Sequence, residues 1–464
     1  MSKKHPIQLS DHFTYARLFR FVLPSIVMMV FTSIYGVVDG LFVSNFAGKT
    51  AFASINLIMP FLIILGAMGF MLGTGGTALV SRVLGEGDKE HANKYFSMIT
   101  LFGILLGVIL TVVGVLAMRP MAILLGATEA MVDDCVLYGR IVVCFLTSFM
   151  LQNMFQSFLI AAEQPKFGLL ITLAAGVTNM VLDALFVGVF RWGIAGAAIA
   201  TGISQTVGGV VPLMYFLFSK SSPLRLRWTG FEAQPLLRSC ANGSSELMSN
   251  ISGSLIGMLY NAQLMRFLGE DGVAAFSIAC YFFPIIFMVY NAIAQSAQPI
   301  ISFNYGLNET LRVRKTYLLA LKTAVGCGIC FALITIFCSR EIVAMFIDRS
   351  YPAYDIAVQG LPLYASGFVF FAINIVSIGY FQSVERAKYA TVITLLRGFI
   401  LLTLCFYGLP LLLGKPGIWL ATPLAELLTT LFILIIYMGR KRNGKENSIS
   451  LQHGNHAKEI LQEV

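Results

Sequence analysis

Four acidic residues stand inside long apolar stretches of this sequence, namely Asp39, Asp183, Glu246 and Glu426. A charge at the centre of a membrane helix costs about 2.5–3.5 kcal/mol on insertion scales, so such residues commonly mark ion or proton pathways. None of the five histidines lies in an apolar stretch. If protons move inside this protein, carboxylates must carry them.

The first two carboxylates have polar neighbours at matching spacing. Tyr35 precedes Asp39 by four residues and Asn179 precedes Asp183 by four, so each pair shares one helix face. Both aspartates fall in the outer half of their stretches. We predict an ion-coupling site for H⁺ or Na⁺, and the sequence leaves the choice of ion open. A purely structural aspartate, paired with backbone or an arginine, is the alternative. The predicted residues are Tyr35, Asp39, Asn153, Asn179, Asp183 and Thr201.

The remaining two carboxylates allow two interpretations each. Glu246 stands near the start of its stretch, where it either faces wet interface or lines a cavity. Glu426 lies midway along the last stretch, where it either attracts cationic substrates or pairs with Arg397. We place a candidate substrate cleft at Gln152, Glu246, Asn374 and Glu426. Pro24, inside the first stretch, predicts a helix bend, because proline removes a backbone hydrogen bond.

Composition shows what holds these residues. Of 464 residues, 57% are hydrophobic and 12% are charged, against roughly 25% charged in soluble domains. A ~30 Å hydrocarbon core takes about 20 helical residues to cross, and the stretches are too long for alternating barrel strands. We predict an all-α polytopic membrane protein with twelve transmembrane helices. They lie near 16–43, 51–80, 94–118, 135–161, 167–190, 194–218, 237–266, 272–303, 314–338, 353–381, 389–413 and 416–438.

Basic residues distribute unevenly between the two sides of these spans. Twenty-four of the 32 lysines and arginines fall on the side that carries both termini, and eight fall on the other. The positive-inside rule then places both termini in the cytoplasm. The net charge of +9 therefore reflects membrane topology, and we expect no nucleic-acid partner.

Sequence similarity at a near-constant offset indicates an internal repeat. Glu163 and Lys166 recur as Glu385 and Lys388 at an offset of 222, and the loop holding Gly85 recurs around Gly306 at 221. Each half contains six spans, so the repeats are parallel and enclose a central cleft. The predicted parts are an amino-terminal lobe (1–218), a cytoplasmic linker (219–236), a carboxyl-terminal lobe (237–438) and a polar tail (439–464).

Several chemistries find no support in the sequence. Gly48-Lys49-Thr50 resembles the end of a phosphate loop, but Val43 occupies the position of the required earlier glycine. The stretch also joins two spans on the outer side, so we expect no ATP site. We find no nucleophile–base pair, no structural metal site and no cofactor motif, and we expect no enzymatic activity.

Five motifs resemble those of the multidrug and toxic compound extrusion (MATE) transporters, and the resemblance runs from about residue 14 to 438. It is closer to the bacterial MepA-like branch than to the eukaryotic branch. The motifs are Val38–Val43 with Pro24 upstream, Arg82–Asp88, Gln298–Gly306, Gly193–Gly196 and Gly417–Trp419.

The resemblance implies export of bulky, often cationic or amphipathic drugs in exchange for H⁺ or Na⁺, through a bacterial plasma (inner) membrane. It also implies that the amino-terminal lobe holds the ion site, at the six residues predicted above. Some relatives carry an aspartate in the tenth helix, where this chain offers Asn374 and no acidic residue. The alternatives are a lipid or lipid-linked oligosaccharide flippase of the same superfold, or a membrane enzyme or channel. Oligomeric state stays open, although a two-lobe transporter can function as a monomer.

Overall fold

The structure, a computed structural model, describes residues 8–11, 13–43, 46, 49–219 and 222–460. All regular secondary structure in these residues is helical. Large apolar side chains remain exposed along the helices, for example Leu105 (58%), Leu116 (73%) and Leu411 (79%). In hydrocarbon such exposure is favourable, and helices satisfy their backbone hydrogen bonds internally. The predicted polytopic helical architecture is confirmed.

Each of the twelve predicted spans corresponds to a helical segment. The segments are α1 (Tyr15–Phe42), α2 (Lys49–Gly85), α3 (Lys89–Leu124), α4 (Glu129–Cys144 and Leu146–Ala161), α5 (Pro165–Asp183 and Ala184–Val189), α6 (Gly193–Phe218), α7 (233–268), α8 (Asp271–Gly306), α9 (Thr310–Phe337), α10 (Pro352–Ala365 and Phe368–Ser383), α11 (Ala387–Leu413) and α12 (Lys415–Ile460). Asp88 caps α3 by accepting the backbone N–H of His91 at 3.0 Å, a bond that lowers the pKa of the Asp88 carboxyl. The predicted polar tail continues α12 as a helix to Ile460.

Several spans are interrupted. The two arms of α4 meet at 55° and those of α10 at 46°. In the described residues, nine helices are long and apolar enough to cross a membrane, and the two bent pairs raise that number to eleven. Helix α7 (233–268), which completes the twelve segments, is followed directly by α8. Gly269, whose φ is 66°, breaks the helix between them. Short π-helical turns follow Asp183 in α5 and span Leu396–Ile400 in α11.

The buried apolar side chains form two large cores, one within each half of the chain. One core draws on α2 to α6 and includes Phe96, Phe155 and Phe158. The other draws on α7 to α12, and the start of α1 packs into it through Leu18 and Phe21. The fold therefore consists of two lobes with separate interiors, and α1 reaches from one lobe to the other.

The lobes meet along α2 and α8 by symmetric close approaches of backbone. A Cβ on Gly85 would lie 2.0 Å from the carbonyl oxygen of Phe303, and a Cβ on Gly306 would lie 2.1 Å from that of Arg82. Both glycine–partner pairs are related by the repeat offset of 221. Only glycine permits this distance, so the crossing places the two repeats around a two-fold axis. We call this end of the bundle, which also carries the N-terminal segment and the linker, the basic end.

Candidate functional site

Asp39 of α1 and Asp183 of α5 face each other inside the amino-terminal lobe. Asp183 is completely buried. Among the described residues, neither of its carboxylate oxygens has a hydrogen-bond partner, and Oδ1 of Asp39 has none either. The structure therefore brings together the two carboxylates that the sequence placed in separate spans.

Two tyrosines border this carboxylate pair. Tyr35 lies against Gly176 of α5, where an added Cβ would be 2.9 Å from its ring, and its hydroxyl is beside Gln152 and Asp39. The Tyr138 hydroxyl of α4 faces Thr201 of α6 and both aspartates. Tyr138 is 1% exposed. Tyr138 was not among the predicted site residues, because nothing in the neighbouring sequence distinguishes it from a packing residue.

Further polar atoms around the pair are buried without partners. Among the described residues these are Nδ2 of Asn153, Oδ1 of Asn179, Oγ1 of Thr201, Oε1 of Gln205 and the Tyr138 hydroxyl. Most buried polar atoms in proteins are hydrogen-bonded, so such a concentration needs an explanation. Carboxylate, amide and hydroxyl oxygens are also the ligands that hard cations prefer. The arrangement has the chemistry to hold a proton or a small hard cation.

No arginine or lysine of the described residues forms an ion pair with Asp39 or Asp183. Two facing carboxylates repel each other when both are ionised, and their burial adds a desolvation cost of several kcal/mol. A bound proton or cation would reduce both penalties. No described lysine or arginine does so, and the two aspartates are thus not held in a fixed ion pair.

In the carboxyl-terminal lobe the buried carboxylate of Glu426 is paired with an arginine. Glu426 is 3% exposed and Arg397 is 8% exposed. Oε1 of Glu426 accepts from Nε of Arg397 at 2.8 Å and lies 2.8 Å from its Nη2. Oε2 accepts from Nδ2 of Asn374 at 2.6 Å, and Thr430 donates to the Asn374 amide oxygen at 2.9 Å. Of the two interpretations of Glu426, the structure contains the ion pair with Arg397.

This ion pair forms part of the wall of an aromatic chamber of about 270 Å³. Phe283 stacks on Tyr364 with ring centroids 4.0 Å apart. The Arg397 guanidinium lies 5.7 Å from the ring centroid of Phe287 and 5.6 Å from that of Phe371. Aromatic faces attract cations and accommodate flat apolar bodies. The chamber combines a neutralised charge pair with a mostly apolar wall that contains seven aromatic side chains.

Glu246 lies in a smaller cavity next to the aromatic chamber, and Arg397 lines both cavities. Gln298 of α8 and Thr74 of α2 line the smaller cavity, and Gln298 donates to the Thr74 carbonyl at 3.1 Å. Gln152, predicted with the cleft residues, lies instead beside Tyr35. Pro24 is buried in α1, which is one uninterrupted helix from Tyr15 to Phe42. The candidate residues thus fall into two groups. One is the carboxylate pair of the amino-terminal lobe, and the other surrounds Arg397 in the carboxyl-terminal lobe and contains Glu426, Asn374 and Glu246.

Comparison with known sequences gives a family and a set of relatives. The sequence model of the MatE family matches residues 24–185 and 247–407, one stretch in each repeat. A multidrug export protein MepA of Staphylococcus saprophyticus is 22% identical over 433 residues, which covers 92% of this chain and 94% of that protein. The protein of the same name from Staphylococcus aureus (strain MRSA252) is 22% identical over 435 residues, with the same coverage of each chain.

Solved structures share the fold. The outward-facing conformation of a multidrug resistance MATE family transporter of the MOP superfamily superposes with a TM-score of 0.87 at 20% identity, covering 95% of this chain and 98% of that one. A MOP superfamily transporter from Pyrococcus furiosus, whose binding pocket is described as having reversed polarity, gives a TM-score of 0.87 at 19% identity with the same coverage. The two-lobe arrangement of twelve helices is therefore a known transporter fold.

Proposed function

The chain belongs to the MatE family of membrane transporters, and we propose that it is a secondary active multidrug efflux antiporter. It exports bulky, often cationic compounds in exchange for H⁺ or Na⁺. The relatives named multidrug export protein support the class of cargo. The observation that carries the proposal is the buried pair of Asp39 and Asp183, which faces no cationic side chain among the described residues.

The carboxylate pair couples the movement of ion and drug because the two bind to the protein alternately. When the ion occupies the site, it offsets one of the two negative charges and gives the buried polar atoms a partner. When the ion leaves, the uncompensated negative charge favours arrival of a cationic drug. Binding of ion or drug weakens binding of the other by the same factor, which is the thermodynamic requirement for exchange. The residues that perform this step are Asp39 and Asp183, with Tyr35 and Tyr138 beside them and Thr201 next to the Tyr138 hydroxyl.

The drug itself needs a larger space than the carboxylate pair provides. The aromatic chamber of the carboxyl-terminal lobe offers stacking faces and a volume close to the lower limit of ligand pockets. Its Glu426 is neutralised by Arg397, so this chamber selects by shape and aromaticity more than by charge. We infer that the chamber holds the apolar body of substrates, and that charge selection resides with Asp39 and Asp183.

The orientation follows from the distribution of basic residues. We propose that the basic end faces the cytoplasm of a bacterium and that both termini lie there, according to the positive-inside rule. The Gly85–Phe303 and Gly306–Arg82 contacts close that end. The structure in this orientation is closed toward the cytoplasm. Transport then requires the α2–α8 crossing to open.

A flippase for phosphate-bearing lipids fits the cavities less well. Such a cargo needs several buried cations along its path, but Arg397 is the only buried arginine or lysine in the part of the chain that the structure describes. Its charge is already committed to Glu426.

Ethidium uptake by inside-out vesicles tests the proposal. We expect wild-type protein to accumulate ethidium when a proton gradient or a sodium gradient is imposed, and the effective gradient identifies the ion. Asp183→Asn removes a carboxylate but keeps the side-chain shape, so uptake should fall to the level of empty vesicles. Asp133→Asn is the matched control, since Asp133 is exposed at the start of α4. If folded wild-type protein shows no gradient-driven uptake of ethidium or of other organic cations, the proposal is wrong.

A further inference from the structure

A second cavity, of about 290 Å³, opens at the basic end of the carboxyl-terminal lobe, away from the carboxylate pair and the aromatic chamber. We call it the tyrosine–arginine pocket. It lies among the end of α8, the start of α9, the loop after α10 and the last apolar turn of α12. Besides Asn308 and Thr310, its polar wall contains four tyrosines and two arginines, namely Tyr305, Arg314, Tyr317, Tyr380, Arg386 and Tyr437.

The internal repeat shows that these residue types are particular to one lobe. Tyr317 and Tyr380 have ring centroids 4.5 Å apart. Their equivalents at offsets of 221 and 222 are Phe96 and Phe158, whose centroids are 4.8 Å apart. The same ring pair is thus present in both lobes, but only the carboxyl-terminal lobe adds hydroxyl groups. Tyr305 likewise replaces Leu84 at the equivalent position.

The two arginines show the same asymmetry. Arg314 corresponds to Asn93 at an offset of 221, and Arg386 corresponds to Gln164 at 222. Two neutral amides of the amino-terminal lobe are therefore two positive charges in the carboxyl-terminal lobe. These five positions would not need hydroxyl and guanidinium groups for packing alone, because their equivalents in the amino-terminal lobe pack without such groups.

In the amino-terminal lobe the linker between the lobes covers the equivalent surface. Asn93 accepts the backbone N–H of Arg225 at 2.6 Å, and Ser97 accepts that of Arg227 at 2.9 Å. Leu224 of the linker is completely buried there. Arg314 has only donors and cannot accept such a backbone N–H. The tyrosine–arginine pocket is therefore built for an occupant that accepts hydrogen bonds.

The charges of the pocket are not neutralised by the protein. Neither Arg314 nor Arg386 forms a side-chain ion pair or hydrogen bond within the described residues. The nearest acidic residues in the sequence are engaged elsewhere, since Glu309 lies 3.9 Å from Arg312 and Glu385 lies 2.6 Å from Arg82. No acidic side chain lines the described walls of the pocket. Two unpaired guanidinium groups at one opening attract an anion.

The position of the pocket identifies the source of that anion. Tyr437 stands one residue before the end of the apolar segment Lys415–Met438 and is 48% exposed. Tyrosine at this level marks the interface between hydrocarbon and headgroups. Basic pockets between transmembrane helices on the positive side bind anionic headgroups. We propose that the tyrosine–arginine pocket binds the phosphate of an anionic phospholipid, with Arg314 and Arg386 on the phosphate. The hydroxyls of Tyr305, Tyr380 and Tyr437 lie around the headgroup. The Tyr317 hydroxyl is hydrogen-bonded to Ser377 at 3.0 Å.

Lipid binding to the purified protein in a neutral detergent tests this site. Native mass spectrometry would count bound lipid during titration with phosphatidylglycerol, and separately with phosphatidylcholine. We expect phosphatidylglycerol to bind more tightly. Arg314→Gln combined with Arg386→Gln should weaken phosphatidylglycerol binding about 30-fold, the effect of losing two arginine charges at a membrane surface. The matched control, Arg340→Gln with Arg349→Gln, alters two exposed arginines at the opposite end and should keep wild-type binding.

Three results would overturn the proposal. They are unchanged phosphatidylglycerol binding in the Arg314/Arg386 variant, equal binding of phosphatidylcholine, and competition by inorganic phosphate at the lipid's own concentration, which would make the pocket a phosphate site. If the arginine variant does not fold, Tyr317→Phe with Tyr380→Phe replaces it, because the same phenylalanine pair already packs in the other lobe. That variant should weaken phosphatidylglycerol binding severalfold, and unchanged binding would count against the site. None of these outcomes depends on drug transport.

Discussion

The buried carboxylates of the two lobes differ in whether their oxygens have partners. Asp39 and Asp183 have buried oxygens with no partner among the described residues, whereas Glu426 uses both oxygens on Arg397 and Asn374. The first arrangement leaves carboxylate oxygens without a partner among the described residues, and the second gives both oxygens a partner. We therefore expect the two carboxylate sites to respond differently to neutral substitution.

Substitution within the Arg397–Glu426 pair should be strongly non-additive. Arg397→Gln leaves a buried, unpaired carboxylate, and removing one partner of a buried pair costs about 3–5 kcal/mol. The double substitution Arg397→Gln with Glu426→Gln should recover part of that loss, because Glu246, which lines a cavity with Arg397, still loses its positive neighbour. Thermal unfolding of the purified variants measures the effect. Lys94→Gln is the control, because Lys94 pairs with Glu232 at an exposed position where a pair contributes at most about 1 kcal/mol. Equal losses for the single and double variants would contradict the role of the pair.

The sequence predicted much of this chemistry at the level of residues. A carboxylate in an apolar span is visible in a sequence, so Asp39, Asp183 and Glu426 could be selected at once. Tyr138 and Gln205 could not, because a tyrosine or glutamine in such a span has common packing roles. The partner of Glu426 was open as well, since Arg397 is in another helix and only tertiary packing decides the contact.

At the scale of helices, the α2–α8 crossing depends on two glycines. A Cβ added to Gly85 would lie 2.0 Å from a backbone carbonyl oxygen of the other helix, and one added to Gly306 would lie 2.1 Å from such an oxygen. Such an overlap cannot be relieved by a side-chain rotation, because the opposing atom belongs to the backbone. The crossing therefore permits no larger residue at either position without separation of the helices.

Gly85→Ala and Gly306→Ala should each destabilise the closed crossing by about 1–3 kcal/mol, the usual cost of overpacking. Their effects should be similar, because the repeat symmetry makes the two contacts equivalent. Gly326→Ala is the matched control in α9, where an added Cβ meets no atom within 4 Å, and alanine in an open helical position is neutral or stabilising. Thermal unfolding ranks the three variants. A loss for Gly326→Ala as large as for Gly85→Ala would show that the crossing is not the cause.

The spans themselves were predictable, but their interruptions were only partly so. Hydropathy places each span within a few residues because bilayer thickness fixes its length. The break in α10 falls at Ser366 and Gly367, which are ordinary break signals. The break in α4 falls at Phe145, with no glycine or proline beside it. Packing against neighbouring helices, which one sequence does not reveal, decides such a break.

For the whole molecule, the basic end is held closed by contacts between the lobes. Nη1 of Arg82 lies 2.6 Å from Oε2 of Glu385. The N-terminal segment also bridges the lobes, since Leu9 donates its N–H to Glu163 at 2.7 Å and its carbonyl accepts from Asn304 at 3.5 Å. Burial raises the pKa of the Glu163 carboxyl. These contacts favour one conformation of a two-state transporter.

Breaking the Arg82–Glu385 pair should shift the population toward opening at the basic end. Both side chains are partly exposed, so we expect a change of about 1 kcal/mol or less, up to roughly fivefold in the ratio of states. Spin-label distances between the lobes measure this ratio. Arg82→Glu should populate longer distances, and the exchanged pair Arg82→Glu with Glu385→Arg should restore the short ones. If the exchanged pair does not restore the short distances, the Arg82–Glu385 ion pair does not hold the basic end closed.

The most direct test of the central claim is release of the coupling ion by the drug. Purified protein in weakly buffered detergent solution would be mixed with ethidium while a pH dye follows protons and a sodium electrode follows Na⁺. The account predicts that wild-type protein releases up to one H⁺ or Na⁺ for each ethidium bound, and that Asp39→Asn and Asp183→Asn release none. Ethidium binding to wild-type protein without release of either ion would contradict exchange at the Asp39–Asp183 pair.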